Sequence, residues 1–242
     1  KETGVKWIKR NRYPHFIKSG VYYNKKWFIS GDCLLNYHQE ISKKAPMVVL
    51  NNDGNRIGVL MKTVRKHEDD KKGFYRDFFT IANKAKDEVY FINETQLKVT
   101  VISPGNHKVA RTVSLKQPAF YTPMPEHFYN RITGKINGQI ILKNIETWKT
   151  SYSRITKAAL YKNYLVLQLW NCRENSKNYG LLFYDTDTFQ LKAVIPTDDL
   201  FLGAHGDKMY FFANGNPSYH DEATQLAINV YTFPGPVTIA KK

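Results

Sequence analysis

The sequence predicts an all-β chain, a β-propeller of four-stranded antiparallel blades, and three observations carry that prediction. A hairpin of one kind recurs as HFIKSGVYYNKKWFIS, DFFTIANKAKDEVYFI, KAALYKNYLVLQLW and DLFLGAHGDKMYFF, each an apolar segment, a polar turn and a strand rich in Tyr, Phe, Val and Leu. Each is followed, after a loop of variable length, by a second hairpin with a turn near its centre. No stretch sustains the 3.6-residue apolar period of a packed helix. Repeats of ~40–50 residues with four strands apiece are what propeller blades look like.

Taken in order, the second hairpins are PMVVLNNDGNRIGVLMK, LKVTVISPGNHKVARTVSL, GLLFYDTDTFQLKAVIP and LAINVYTFPGPVTIA. They turn at Asp53-Gly54, at Pro104-Gly105, over Asp185 to Thr188 and at Pro234-Gly235, where Gly, Asp, Asn and Pro supply the backbone angles of tight turns. The second strands centre near Phe28, Phe91, Val166 and Phe211, spaced by 63, 75 and 45 residues. The long middle interval holds a strand at Gln139 to Leu142 that fits a degenerate fifth unit. The chain divided by five gives about 48 residues per blade. The expectation is one propeller domain over 1–242, with five or six blades, complete or incomplete. A β-sandwich is the alternative, because many short strands with regular turns fit it too. Ile41 to Ala45 and Glu222 to Ala227 could each hold one turn of helix.

The chain resembles the TolB-like and NHL-like propellers of exported bacterial proteins. DEVYFINETQLKVTVISPGNHKVARTVSL, KNYLVLQLW with YGLLFYDTDTFQLKAVIP, and GDKMYFFANG with LAINVYTF carry the resemblance. It rests on a hydrophobic and turn pattern rather than on a catalytic set, so it implies fold more than activity. It also implies export, to a periplasmic, cell-surface or secreted location. The chain begins at Lys1 with no charged-then-apolar leader, which fits a processed mature chain or a trimmed one.

Composition narrows the function classes. With 42% hydrophobic and 14% aromatic residues the chain is too apolar for a disordered protein. Its longest apolar runs, such as Tyr164 to Trp170, fall far short of the ~20 residues a membrane helix needs. The formal charge of +15 favours anionic partners: acidic proteins, acidic glycans and, less favoured, nucleic acid. No Walker loop, no GxGxxG, no GxSxG elbow, no HExxH and no paired CxxC occurs, so no cofactor and no metal is expected. Cys33 and Cys172 fall at matching points of two different units, too far apart for a disulfide in a propeller unless the long loops meet over the ring, so two free or buried thiols are expected. Asn93-Glu94-Thr95 fits the glycosylation pattern, and a turn explains it as well.

Topology locates a site without a motif. In a meander of strands a to d, the b-to-c loops and the d-to-next-a connections leave the sheet at one end, the tight turns at the other. The long segments GDCLLNYHQEISKKAP, KTVRKHEDDKKGFYRD, KQPAFYTPMPEHF, NCRENSKNYG and ANGNPSYHDEATQ all belong to the first end. Binding residues concentrate on long loops held by a rigid scaffold. The candidates are therefore His38, Arg65, His67, Tyr75, Arg76, Arg173, Tyr219 and His220. HEDD at His67 to Asp70 has the ligand types for a metal, but adjacent residues do not converge on one ion. YHDE at Tyr219 to Glu222 has a His beside carboxylates, and a solvated loop explains it more simply. Asp185 and Asp187 read as turn formers, and Trp27, Tyr90, Trp170 and Tyr210 as packing between blades. The leading expectation is a non-catalytic propeller that binds a protein or an anionic glycan through its long-loop end. A hydrolase or lyase acting on an anionic carbohydrate, with His220 or His67 as acid-base group, is the second reading, and non-specific nucleic-acid binding the third.

Overall fold

The computed structural model describes residues 17–31, 43–44, 47–60, 63–64, 78–123, 147, 149–173, 177–212 and 228–232. These form four antiparallel blade sheets, and the all-β propeller class read from the sequence holds. The first sheet runs β1 (Ile17–Tyr23), β2 (Lys26–Gly31), β4 (Met47–Asn51), β5 (Arg56–Leu60). Between and after these lie β3 (Lys43–Lys44) and β6 (Thr63–Val64), which pair with each other. The second sheet is β7 (Phe78–Asn83), β8 (Glu88–Asn93), β9 (Lys98–Ser103), β10 (Lys108–Ser114). The third is β11 (Ile155–Tyr161), β12 (Tyr164–Trp170), β13 (Tyr179–Asp185), β14 (Leu191–Thr197). The fourth shows three strands among the described residues, β15 (Leu200–His205), β16 (Lys208–Phe212) and β17 (Ile228–Tyr231).

Two details differ from the sequence expectation or lie beyond it. Lys43 and Lys44, inside the stretch read as a possible helical turn, pair with Thr63 and Val64 as strand, since Pro46 stops a helix before it can nucleate. The Gln139 to Leu142 strand, the Glu222 to Ala227 turn and the Pro234-Gly235 turn lie outside the described residues.

The tight turns follow from their residues. Asn24 and Lys25 both take positive φ (49° and 56°), the pattern of a two-residue hairpin turn that matches strand twist. Asp185 Oδ1 accepts from the backbone N–H groups of Asp187 and Thr188 at 3.0 and 2.8 Å, so the DTDT aspartate is a turn former as read. The Asn93 side chain does the same in the second sheet: its Oδ1 accepts from the Thr95 N–H at 3.0 Å and the Thr95 hydroxyl at 2.9 Å. Glu94 and Thr95 are buried there, so in the fold this triplet is a closed turn.

The chain divides into two compact units, one taking in the strands up to Ile92 with Thr100–Thr112, the other Asn93–Val99 and, from Val113, the third and fourth sheets. In the first unit Phe28, Met47, Val49 and Leu60 pack against Phe78, Val89, Phe91 and Ile102. Polar ties reinforce that packing: Ser30 Oγ meets Thr80 Oγ1 at 2.7 Å, the Tyr23 hydroxyl donates to Asp87 at 2.9 Å, and Lys26 Nζ donates to the Pro104 carbonyl at 3.0 Å.

In the second unit Tyr161, Tyr164, Val166, Leu181, Phe183 and Ala193 of the third sheet pack on Phe201, Met209 and Phe211 of the fourth. Gln168, fully buried in the middle of β12, joins the same two sheets by hydrogen bonds. Its Nε2 donates to the Asp199 carbonyl at 2.8 Å, and its Oε1 accepts from the Phe201 N–H at 3.0 Å and the Thr156 hydroxyl at 3.1 Å. Replacing it with Leu keeps the volume but strands those partners, and an unpaired buried polar group costs about 1–3 kcal/mol. Gln168→Leu is therefore expected to lower unfolding free energy by about 3 kcal/mol in urea denaturation. An unchanged midpoint with an unchanged slope would show that the amide is not what ties the sheets.

Candidate functional site

The third sheet is described in all four of its strands, and its loop end is built from the b-to-c loop after β12 and the d-to-a connection after β14. The two meet, as strand direction requires: the Asn178 N–H donates to Asp198 Oδ1 at 3.0 Å, and Lys177 forms an ion pair with Asp198. Asn171 orders the start of the loop, its N–H donating to the Asn178 carbonyl at 2.8 Å and its Nδ2 to the Lys177 carbonyl at 3.1 Å. Its Oδ1 in turn accepts from the Arg173 N–H at 3.2 Å.

Arg173 is the one sequence-predicted site residue among those described. It is exposed, and its Nη2 donates to the Ala119 carbonyl at 2.7 Å. His38, Arg65, His67, Tyr75, Arg76, Tyr219 and His220 lie outside the described residues. Cys172, next to Arg173, is a free thiol, half-buried. Cys33 and the HEDD stretch also lie outside the description.

Ala119 belongs to a strap, Leu115 to Pro123, that follows β10 and is fastened to the third sheet along its length. The Tyr184 hydroxyl donates to the Lys116 carbonyl at 2.7 Å, and burial pushes that phenol well above its ordinary pKa. The Thr122 N–H donates to Ser153 Oγ at 3.0 Å, while the Ser153 N–H donates to the Thr122 carbonyl at 2.8 Å. Between these ties the Phe120 ring lies on Gly180, so close that a β-carbon there would overlap the ring edge.

Beneath the loop a row of side chains crosses the sheet. Trp170 pairs with Tyr179, which pairs with Thr197, and the backbone N–H of Trp170 donates to the Arg154 carbonyl at 2.8 Å. Directly opposed residues of antiparallel strands share a face. The Trp170 and Tyr179 rings meet edge to face with centroids 5.4 Å apart. Burial raises the Tyr179 phenol above its ordinary pKa, and the nearby Arg154 charge offsets part of that rise. Both Arg154 Nε and Trp170 Nε1 are buried donors with no acceptor. Their side chains are otherwise half-buried, and no described carboxylate pairs with the Arg154 guanidinium.

Sequence reasoning did not single out Arg154 or Tyr179, and it took Trp170 as packing. Tyr90 is packing as read, fully buried, whereas Trp27 is exposed and tilts against Tyr22 at 5.0 Å. The signal that could have found the row is register, and a bulge hides it: Lys157 pairs with Gln168, but Ile155 pairs with Leu169. Among the described residues no group of three or more His, Cys, Asp or Glu is placed to hold a metal, and no described helix is long and apolar enough to cross a membrane.

Two tests follow from this geometry. Gly180→Ala forces Phe120 or the strand to move, and overpacking of this kind typically costs 1–3 kcal/mol, so the thermal midpoint should fall by several degrees. Retention of the wild-type midpoint would mean that the strap is not seated on the sheet. Asp198 is the second. The Lys177 ammonium and the Asn178 N–H hold its carboxyl below the usual value of 3.8. A carboxyl depressed in the folded state stabilises above its unfolded pKa, and that contribution is lost as pH falls through the folded value. Thermal midpoints measured from pH 6 down to pH 3 should therefore drop less steeply below about pH 4 for Asp198→Asn than for the wild type. Parallel curves would remove the pair from the acid response.

No protein-family profile matches the sequence, and no curated protein does. Among solved structures the chain is similar to the Neurospora crassa Pan2 WD40 domain, at 11% identity and a TM-score of 0.47, covering 89% of this chain and 48% of that one. It is also similar to a luciferin-regenerating enzyme, at 8% identity and a TM-score of 0.47, covering 90% of this chain and 61% of that one. A third is an exo-1,5-α-L-arabinanase from a bovine ruminal metagenomic library, at 11% identity and a TM-score of 0.42, covering 96% of this chain and 81% of that one. The chain thus spans about half to three fifths of the length of the first two.

Proposed function

We propose that this chain is a binding propeller that recognises an anionic group, carried by an acidic protein or an acidic glycan, at the loop end of its blades. The observation that carries the reading is the Arg154 guanidinium, half-buried beside Trp170 and Tyr179 without a described carboxylate, its Nε lacking any acceptor. A partly desolvated cation attracts an oxyanion more strongly than a fully solvated one, because the local dielectric is lower. Arg154 has a long side chain, so its guanidinium meets an incoming carboxylate or sulfate first and can swing to present Nε. Trp170 and Tyr179 supply an apolar wall and a second N–H. Arg173 adds positive charge on the loop above, and the net charge of +15 favours encounter.

The test must separate a site from general stickiness, since any chain this basic binds polyanions. Arg154→Met removes one charge at the row, and Lys208→Met removes one from an exposed position at the opposite end of a neighbouring sheet. Binding to heparin, to a poly-aspartate peptide and to single-stranded DNA would be measured at 150 mM salt. Loss of about tenfold in affinity for one probe with Arg154→Met, and little change with Lys208→Met, is the expected result. Equal small losses from both variants would reduce the interaction to net charge, and the probe most affected identifies the partner class.

A further inference from the structure

The cationic row of the third sheet carries two kinds of unused donor, and their pairing narrows what the row takes. Arg154, just before β11, stands opposite Trp170 at the end of β12, joined to it by the backbone hydrogen bond from the Trp170 N–H to the Arg154 carbonyl at 2.8 Å. Opposed residues of antiparallel strands share a face, so the two side chains leave the sheet together. Arg154 Nε is a charged donor and Trp170 Nε1 a neutral one, and both are buried without an acceptor. A buried donor left unpaired is costly, and a bound group that pairs with it recovers that cost. Beside them the Tyr179 ring meets the Trp170 ring edge to face with centroids 5.4 Å apart, and the Arg154 charge acts on the Tyr179 phenol. All three side chains are half-buried, so each keeps part of its surface open to a ligand.

We infer that the group bound here is a hexuronate residue of an acidic glycan, an assignment that rests on the anion reading of this row. Three parts of the row match three parts of that sugar. A carboxylate joined directly to a ring carbon pairs with the Arg154 guanidinium in a charge-assisted hydrogen bond. The ring oxygen and the neighbouring hydroxyl are neutral acceptors next to that carboxylate, as Trp170 Nε1 is a neutral donor next to Arg154. The C–H face of the sugar packs on the aromatic pair, since Trp and Tyr combine an apolar body with a polar tip. An aspartate or glutamate side chain offers its carboxylate on a flexible stem, with neither a rigid C–H face nor a neutral acceptor fixed beside the charge. A sulfate ester holds its charge one linking oxygen further from the ring.

The probes are trigalacturonate, its methyl ester, an end-capped tri-aspartate peptide and a galactose trisaccharide carrying three sulfates, all at 150 mM salt. The acidic probes carry equal charge, so a surface that reads charge alone binds them alike. Calorimetric titration is expected to give trigalacturonate as the tightest ligand, with affinity about tenfold lower for its methyl ester and for the Arg154→Met variant. Trp170→Phe keeps a ring and removes the N–H, and should cost about fivefold for trigalacturonate with little change for tri-aspartate. Circular dichroism checks that both variants keep their strands, and the ranking of ligands on the wild type stands independently of them. Tri-aspartate or the sulfated sugar binding as tightly as trigalacturonate would overturn the uronate assignment, and a loss with Arg154→Met would then leave the anion reading in place. Affinities for all four probes that ignore Arg154→Met would overturn both.

Discussion

Burial on both faces of the inner strands is the constraint on which this architecture depends. In β8 the consecutive residues Val89, Tyr90, Phe91 and Ile92 are all buried, and β12 is buried from Tyr164 to Leu169. A strand with one face on a core and the other in water could stand in a lone sheet. These cannot, because successive side chains point to opposite faces and both faces are apolar. The sheets that hold such strands must be covered on two sides, and within each unit a neighbouring sheet covers one face. The cost of exposing either face of β12, at roughly 25 cal/mol per Å² of apolar surface, far exceeds that of any one loop rearrangement.

The same constraint explains which parts of the fold were legible in the sequence. Turns were legible because their chemistry is local: Asn51, Asn93 and Asp185 each accept from backbone N–H groups two to four residues on. The four-strand unit was legible because the turns recur between apolar runs. Strand faces were not, since a run such as YLVLQLW has no polar alternation to show which side meets which neighbour. Gln168 interrupts that run without marking an exposed position, because a buried amide with three protein partners satisfies the same residue type that a solvated loop would use.

The candidate site was legible at the level of location but not of residues. Strand direction alone assigns the long loops to one end, and Lys177 with Asp198 shows one of them meeting the short connection after β14 there. Arg154 escaped notice because it precedes β11 and looks like one of many surface cations. Its distinction lies in its neighbours, which come from strands 16 and 25 residues further along. Arg173 stood out as a loop arginine, yet its Nη2 is held by the Ala119 carbonyl, which gives it a fastening role alongside any contact with a partner.

The bulge between Ile155 and Lys157 gives β11 two phases of the pleat within one strand. From Lys157 to Tyr161 the odd-numbered residues share a face with Gln168, Val166 and Tyr164, but before the bulge the sense reverses and Ile155 sits opposite Leu169. An uninterrupted ladder would bring Ile155 beside Trp170 and turn Arg154 to the other side. The extra residue, Thr156, is also the one whose hydroxyl reaches Gln168. Chain length at this point, more than the identity of any side chain, decides whether the end of the sheet presents a cation or an aliphatic group. A single insertion or deletion could therefore gain or lose the cationic row while the packed part of the blade keeps its register.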